Sequence, residues 1–191
     1  MIVQKAFKYR FFPTDEQAAQ LANTFGCARY VYNQALELRA TAWQQVKKSI
    51  GYHNTAAKLT EWKKEPKKAF LSEVSSVVLQ QSLRNLDAVF TNYFEKRANY
   101  PTFKSRRGRQ SARYATNAFT FRDGRITLAK QSEPLDIVWS RQLPDDAKLV
   151  SLTVSRDPSG RYFVSILNAR AFGDGRMSRY ALTRNLSAES I

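Results

Sequence analysis

Between Lys96 and Tyr114 the chain carries seven basic residues and no acidic one: Lys96, Arg97, Lys104, Arg106, Arg107, Arg109 and Arg113. Tyr100, Phe103 and Tyr114 are interleaved with them. Cationic side chains at this density neutralise phosphates and release their counterions. Rings beside them can stack on unpaired bases, although the rings alone would equally suit a core. Other chemistry-bearing groups are sparse. His53 is the sole histidine, so a triad has one possible base, and its place before a helical pattern reads as a helix entry. Cys27 is the sole cysteine. It sits in an apolar helical pattern and reads as a packed core thiol, with no disulfide framework or Cys-based zinc cluster available. Two-metal phosphodiester cleavage needs several convergent carboxylates, but the acids here read as helix starts, turns and solvated faces. Asp174, in Phe172-Gly173-Asp174-Gly175, is the one Gly-flanked exception, and by itself it reads as a turn. Asp157 reads as a turn former. No catalytic residue, metal ligand or cofactor is expected.

The whole composition agrees with a polyanion partner. The 191 residues include 31 Lys and Arg against 16 Asp and Glu, a formal charge of +15. Such an imbalance repels itself unless a polyanion neutralises it. A membrane surface would require a basic amphipathic helix or a lipid anchor, and no lipidation motif is evident. The start Met1-Ile2-Val3-Gln4-Lys5 has no secretory apolar region, and no apolar run is long enough to span a bilayer. A cytoplasmic protein is expected. With 43% apolar residues, the chain has material for a core and does not read as disordered.

The elements that would position these groups follow from periodicity. Residues 2–12 read as a strand with Val3, Phe7, Tyr9 and Phe11 on one face, interrupted by Lys5. Pro13 ends it. Thr14 and Gln17 form a capping-box signature, and Ala18, Leu21, Phe25, Ala28, Tyr32, Ala35 and Leu38 predict a helix to about Lys48. Gly26 inside it suggests close packing, since glycine costs roughly 1 kcal/mol relative to Ala in a helix. A shorter helix is predicted over 53–64, closed by Pro66. A third starts at Ser72, with Leu79, Leu83, Leu86, Phe90 and Phe94 as its stripe. Strands follow: 119–121 and 125–128 about Asp123-Gly124, then 135–139, 149–155 and 162–167, the last two joined by the turn at Asp157-Pro158-Ser159-Gly160. The expected fold class is α+β, a small wedge-like β-barrel with an inserted three-helix recognition domain. Its divisions would be residues 1–13 (first barrel strand), 14–98 (helical, helix-turn-helix-like), 99–168 (rest of the barrel with the basic loop) and 169–191 (a polar tail).

Several ordered blocks resemble one family. Phe12-Pro13 with Gln17, followed by the segment from Phe25-Gly26-Cys27-Ala28-Arg29 to Asn33, is similar to the N-terminal segment of the TnpB, or OrfB-type, proteins of insertion sequences. Phe70 to Val74, Leu79 to Leu86, and Tyr100-Pro101-Thr102-Phe103-Lys104 are further matching blocks, and the Asp123-Gly124-Arg125 hairpin and final strand pair complete a match over roughly 1–167. The resemblance implies a wedge barrel interrupted by recognition helices, together holding a transposon-derived guide RNA and reading a short motif in double-stranded DNA. By position it assigns motif reading to Tyr52, Ser76, Val77, Gln80, Thr116 and Asn117. RNA and phosphate binding is expected from Lys8, Arg10, Arg29, Lys104, Arg106, Arg107, Arg109 and Arg113. Family members continue into a RuvC-like nuclease whose metal-binding aspartates have no counterpart here. Asp174 comes too soon after the last strand and lacks the preceding apolar strand. The sequence reading is therefore a nuclease-deficient binder, truncated relative to its family. A stand-alone helix-turn-helix repressor working without RNA is the alternative. An active nuclease is a third reading, and it needs carboxylates the sequence does not supply.

Overall fold

The computed structural model describes residues 2–143 and 148–171. Strand β1 (Ile2–Phe12) leads into a 32-residue helix, α1 (Asp15–Val46). Helix α2 (Tyr52–Lys64), a 3-10 segment (Pro66–Ser72) and α3 (Ser76–Phe94) follow. The chain then returns to strands: β2 (Gln110–Ala115), β3 (Phe119–Arg122), β4 (Arg125–Leu128), β5 (Asp136–Ile137), β6 (Lys148–Arg156) and β7 (Tyr162–Ala171). A 3-10 turn, Thr116–Ala118, joins β2 to β3.

The first strand joins the last ones. β1 lies between β7 and β5 in an antiparallel sheet of order β2-β6-β7-β1-β5, and β3-β4 form a separate hairpin. The three helices are thus inserted between two strands of one sheet, β1 and β2, and the class is α+β as expected. The described strands do not close into a barrel: β2 and β5 are the two edges of an open sheet.

Local chemistry explains where the helices begin. The Thr14 hydroxyl accepts from the Gln17 backbone N–H, and the Gln17 side chain accepts from the Thr14 N–H, completing the capping box. Gln17 is buried and its amide also donates to the Glu133 and Pro134 carbonyls at 3.2 Å, tying the helix start to the segment before β5. The third helix begins at Ser76 rather than Ser72. Pro66 starts the 3-10 segment, and Ser75 is extended, with ψ 124°. The Glu73 carboxylate accepts from Asn23 on α1 at 2.9 Å and plays no part in capping α3. Gly26 was expected to permit a close approach, but a Cβ there would meet nothing within 4 Å.

Two apolar clusters share α1. Leu21, Phe25 and Ala28 pack with Val78 against the sheet residues Tyr9, Phe11, Ala112, Tyr114, Leu152, Val154, Val164 and Ile166. Cys27, Val31, Tyr32, Ala35 and Leu36 join Leu59, Trp62, Leu71, Leu79, Leu83, Leu86 and Phe90 in a helical core. The Ser82 hydroxyl donates to the Ala28 carbonyl at 2.7 Å and fixes the α1–α3 crossing. No helix of the described residues is long and apolar enough to cross a membrane.

Candidate nucleic-acid interface

The sheet has two chemically opposite faces. Alternation sends Tyr9, Phe11, Ala112, Tyr114, Leu152, Val154, Val164 and Ile166 into the core. The same alternation sends hydroxyls and cations to the other face. Across four strands, Arg113 pairs with Thr153, Thr153 with Ser165, and Ser165 with Lys8. The neighbouring row runs Ser111, Ser155, Phe163, Arg10. Aromatic rings support the strand-borne cations: Lys8 Nζ lies 4.5 Å from the Phe163 ring centroid, and the Arg10 guanidinium 4.7 Å from that of Phe12.

This polar face forms one wall of a cleft of about 680 Å³, whose other walls come from α1, α3 and the basic loop. Arg29, Lys104, Arg109 and Arg113 all line it, and none of its described lining residues is acidic. Neutral amides and hydroxyls hold the cations in place. The Asn33 amide donates to the Lys104 carbonyl and its side-chain oxygen accepts from the Lys104 N–H, each at 2.9 Å. Gln110 accepts from Arg29 at 3.1 Å and donates to the Arg106 and Gly108 carbonyls at 2.7 and 2.9 Å. Arg113 donates to the Ser151 hydroxyl at 3.2 Å. Lys104 is exposed as a residue, yet its ammonium lies 4.2 Å from the Tyr32 ring centroid, and the loss of water there pulls its pKa below the usual lysine value. Burial likewise lowers the pKa of Arg113. Partly desolvated cations act in a lower local dielectric, where an incoming phosphate is attracted more strongly.

The eight predicted phosphate-binding residues therefore divide into three groups. Arg29, Lys104, Arg109 and Arg113 meet at the cleft, Lys8 and Arg10 extend the same sheet face, and Arg106 and Arg107 stand exposed on the loop. Sequence reasoning missed Asn33 and Gln110. Asn33 lies one turn beyond Arg29 on α1, so helical spacing from an expected site residue was the available signal.

The six residues assigned to motif reading lie near the first half of α3. Ser76 and Gln80 are exposed, and the Ser76 hydroxyl accepts from Lys63 at 2.5 Å. Val77 is half-buried and packs on the sheet core. Tyr52 opens α2, with the Arg84 guanidinium 4.4 Å from its ring centroid; Arg84 is one turn beyond Gln80. Thr116 and Asn117 are exposed in the 3-10 turn after β2, and the Thr116 hydroxyl donates to the Val150 carbonyl at 3.0 Å. Tyr52 and Thr116 line a second hollow, which adjoins the cleft and shares Asn85, Ala88 and Asn92 of α3 with it.

Cys27 and Asp157 are engaged by structural partners. Cys27 is buried and its thiol donates to Asn23 Oδ1 at 3.4 Å; burial, and next the Glu73 carboxylate, push it up to about 11. His53 is exposed beside Tyr52. Asp157 holds its turn: it accepts from the Ser159 hydroxyl at 2.7 Å and from the Arg161 backbone and side chain, and these bonds, the Ser159 bond foremost, hold its carboxyl near 2. Asp174 lies outside the described residues. Among the described residues no group of three or more His, Cys, Asp or Glu could hold a metal ion. They do not fit the metal of a two-metal nuclease, and no cleavage step is derived from them.

Residues 1–48 match the helix-turn-helix domain of the OrfB insertion-sequence proteins. A protein of Streptomyces pristinaespiralis named a candidate RNA-guided DNA endonuclease is 58% identical over 166 residues, 86% of this chain and 41% of that protein. The chain belongs to the OrfB-type, or TnpB, family. InsQ of Escherichia coli (strain K12), also named a candidate RNA-guided DNA endonuclease, is 31% identical over 168 residues, 85% of this chain and 40% of InsQ. Virulence protein VsdF of Salmonella dublin is 34% identical over 114 residues, 55% of this chain and 96% of VsdF. This TnpB-type chain thus spans about two fifths of the length of the two endonuclease-named relatives. The OrfB domain match contains β1 and α1, so it includes Lys8, Arg10 and Arg29 of the interface.

Proposed function

We propose that this TnpB-type chain binds a transposon-derived guide RNA along the acid-free cleft and contacts a short motif in double-stranded DNA at the first half of α3. The observation that carries the reading is the cleft itself, lined by Arg29, Lys104, Arg109 and Arg113 with no carboxylate among its described lining residues. A chain of formal charge +15 attracts polyanions over long range, and a wall of hydroxyls beside fixed guanidinium groups suits a phosphodiester backbone. The wedge-like role of the sheet, the recognition role of the helices, and the motif-reading roles of Tyr52, Ser76, Val77, Gln80, Thr116 and Asn117 are parts of the same proposal. The reaction named for the relatives is assigned to no residue described here.

RNA extracted from the purified chain tests the proposal. The expected result is one enriched structured RNA from the neighbouring insertion-sequence locus. Equal, salt-sensitive binding of any polyanion, with no enriched RNA, would overturn it. The helix-turn-helix match favours a second reading, a duplex-DNA repressor without RNA. A gel shift with and without RNase separates them: the repressor retains its sequence-specific shift, whereas the guided binder loses it.

A further inference from the structure

The C-terminal end of α3 carries an aromatic cluster that the cleft does not use. Phe90 is its anchor: it is buried, and the Arg39 guanidinium lies 3.9 Å from its ring centroid, held there by Asp87 at 2.9 Å. Phe94 stacks on Phe90 at 6.2 Å and 27°, and Tyr93 lies 5.3 Å from Phe94. Lys96, at φ 59°, is in the left-handed region and reverses the chain, with its N–H donating to the Tyr93 carbonyl and that of Arg97 to the Asn92 carbonyl. The reversal brings Tyr100 back onto the helix, edge-on to both Phe90 and Tyr93 at 5.6 and 5.2 Å. Three of the four rings remain open to solvent: Phe94 is 69% exposed, Tyr100 47% and Tyr93 37%.

Clustered rings fixed by a buried anchor yet left in water are a surface for a partner rather than a core. Charge selects the partner. The cluster includes Glu95, which is engaged by Arg97, and leads into the segment from Lys96 to Arg122, which contains eight Lys and Arg and no acid. A second copy of a +15 chain would bring like charge to this patch. Unpaired nucleobases bring apolar faces joined to phosphates. We propose that Phe94, with Tyr93 and Tyr100, is a stacking platform for unpaired bases, with Lys96 and the following basic loop taking the adjoining phosphates. The platform rests on the reading that the chain binds nucleic acid, and extends it to single-stranded segments at a site beside the cleft, with which it shares the basic loop.

The test uses the full chain with a single-stranded RNA carrying 2-aminopurine and, separately, a duplex of equal length. One stacked base is worth roughly 1–3 kcal/mol, so Phe94→Ala is expected to weaken single-strand binding about tenfold and to relieve 2-aminopurine quenching. Duplex binding should change less than twofold. Phe94→Leu keeps the apolar bulk without the π face and should lose as much as Phe94→Ala, whereas Phe94→Trp should retain binding. Phe94 is largely exposed, so unchanged melting temperatures are expected for all three. Equal losses for single strand and duplex, or full binding by Phe94→Leu, would overturn the platform. So would a wild-type dimer in light scattering that Phe94→Ala abolishes, since that result assigns the patch to a second copy. If Arg109→Ala with Arg113→Ala weakens binding while Phe94→Ala does nothing, the platform fails and the cleft stands. If wild type binds neither probe, the cleft falls as well.

Discussion

The two adjoining hollows along α3 differ in charge as well as in size. The first, of about 680 Å³, combines Arg29, Lys104, Arg109 and Arg113 with amides and hydroxyls, and its described lining has no acid. The second, of about 1360 Å³, mixes Arg84, Arg97, Arg113 and Lys148 with Asp87 and Glu95. Both acids are engaged by cations, Asp87 by Arg39 and Glu95 by Arg97. A surface of one sign attracts any phosphodiester backbone, while a mixed surface offers donors and acceptors that discriminate. Phosphate contacts position a nucleic acid and base contacts specify it. Under the proposed function the hollows would divide these tasks along one helix, with Asn85, Ala88, Asn92, Arg113 and Ser151 lining both.

The sharpest way to break that division is to neutralise the first hollow. Arg109→Ala with Arg113→Ala should weaken RNA affinity at least about 100-fold, taking the lower end, roughly 1.5 kcal/mol, for each charged hydrogen bond. The dependence of log affinity on log salt should become shallower by about 1.4, near 0.7 for each single-strand phosphate contact. Titrations at several salt concentrations measure both. An unchanged slope would make these arginines bystanders. Arg106→Ala with Arg107→Ala should flatten the slope similarly but cost less affinity, because both side chains stand in solvent and start with weaker attraction to phosphate.

The exposed start of α3, where Gln80 lies outside the described lining of both hollows, should respond differently. Gln80 is exposed one turn before Arg84 on α3. A glutamine amide can pair with both N6 and N7 of adenine, and such a pair discriminates against the wrong base by roughly 1–3 kcal/mol. Gln80→Ala should therefore lower the preference for the best DNA motif over a single-base variant by about tenfold. Its salt slope should stay at the wild-type value, since no cation is removed. Equal weakening for every duplex sequence would place Gln80 outside the motif contact.

How far the sequence exposed this arrangement depends on the range of the cause. The capping box at Thr14 and Gln17, the stripe of α3 and the hairpin at Asp123-Gly124 are local and legible, because the residues that make them lie within a few positions. Strand β2 was missed. Its Ala112 and Tyr114 point into the core while Ser111 and Arg113 point out, but the run of arginines before it masks the alternation as loop. The strand expected over 135–139 shrinks to Asp136–Ile137, which pair only with Phe11 and Phe12 at the end of β1. Glu73 follows the helix start expected at Ser72, but its carboxylate is held by Asn23, fifty positions away, which propensity cannot see. The candidate site follows the same rule. Its cations were visible as composition, whereas the amides that aim them act across separations of 71 and 81 residues.

Those amides supply the mildest and most discriminating test. Gln110 accepts from Arg29 and donates to the Arg106 and Gly108 carbonyls, so one neutral side chain links α1 to the basic loop. A net hydrogen bond is worth roughly 1 kcal/mol. Gln110→Ala should then reduce RNA affinity about fivefold through misplacement of Arg29 and the loop, with every charge retained. The salt slope consequently separates two causes. If the slope holds while affinity falls, the same phosphates are still contacted, only less well, and Gln110 is a positioning residue. If the slope falls as it does for Arg109→Ala with Arg113→Ala, the loop has swung away, and the first hollow owes its single sign to this brace. If neither changes, the loop is held by Asn33 alone, through its paired bonds to Lys104. Asn33→Ala should in that case produce the loss that Gln110→Ala did not.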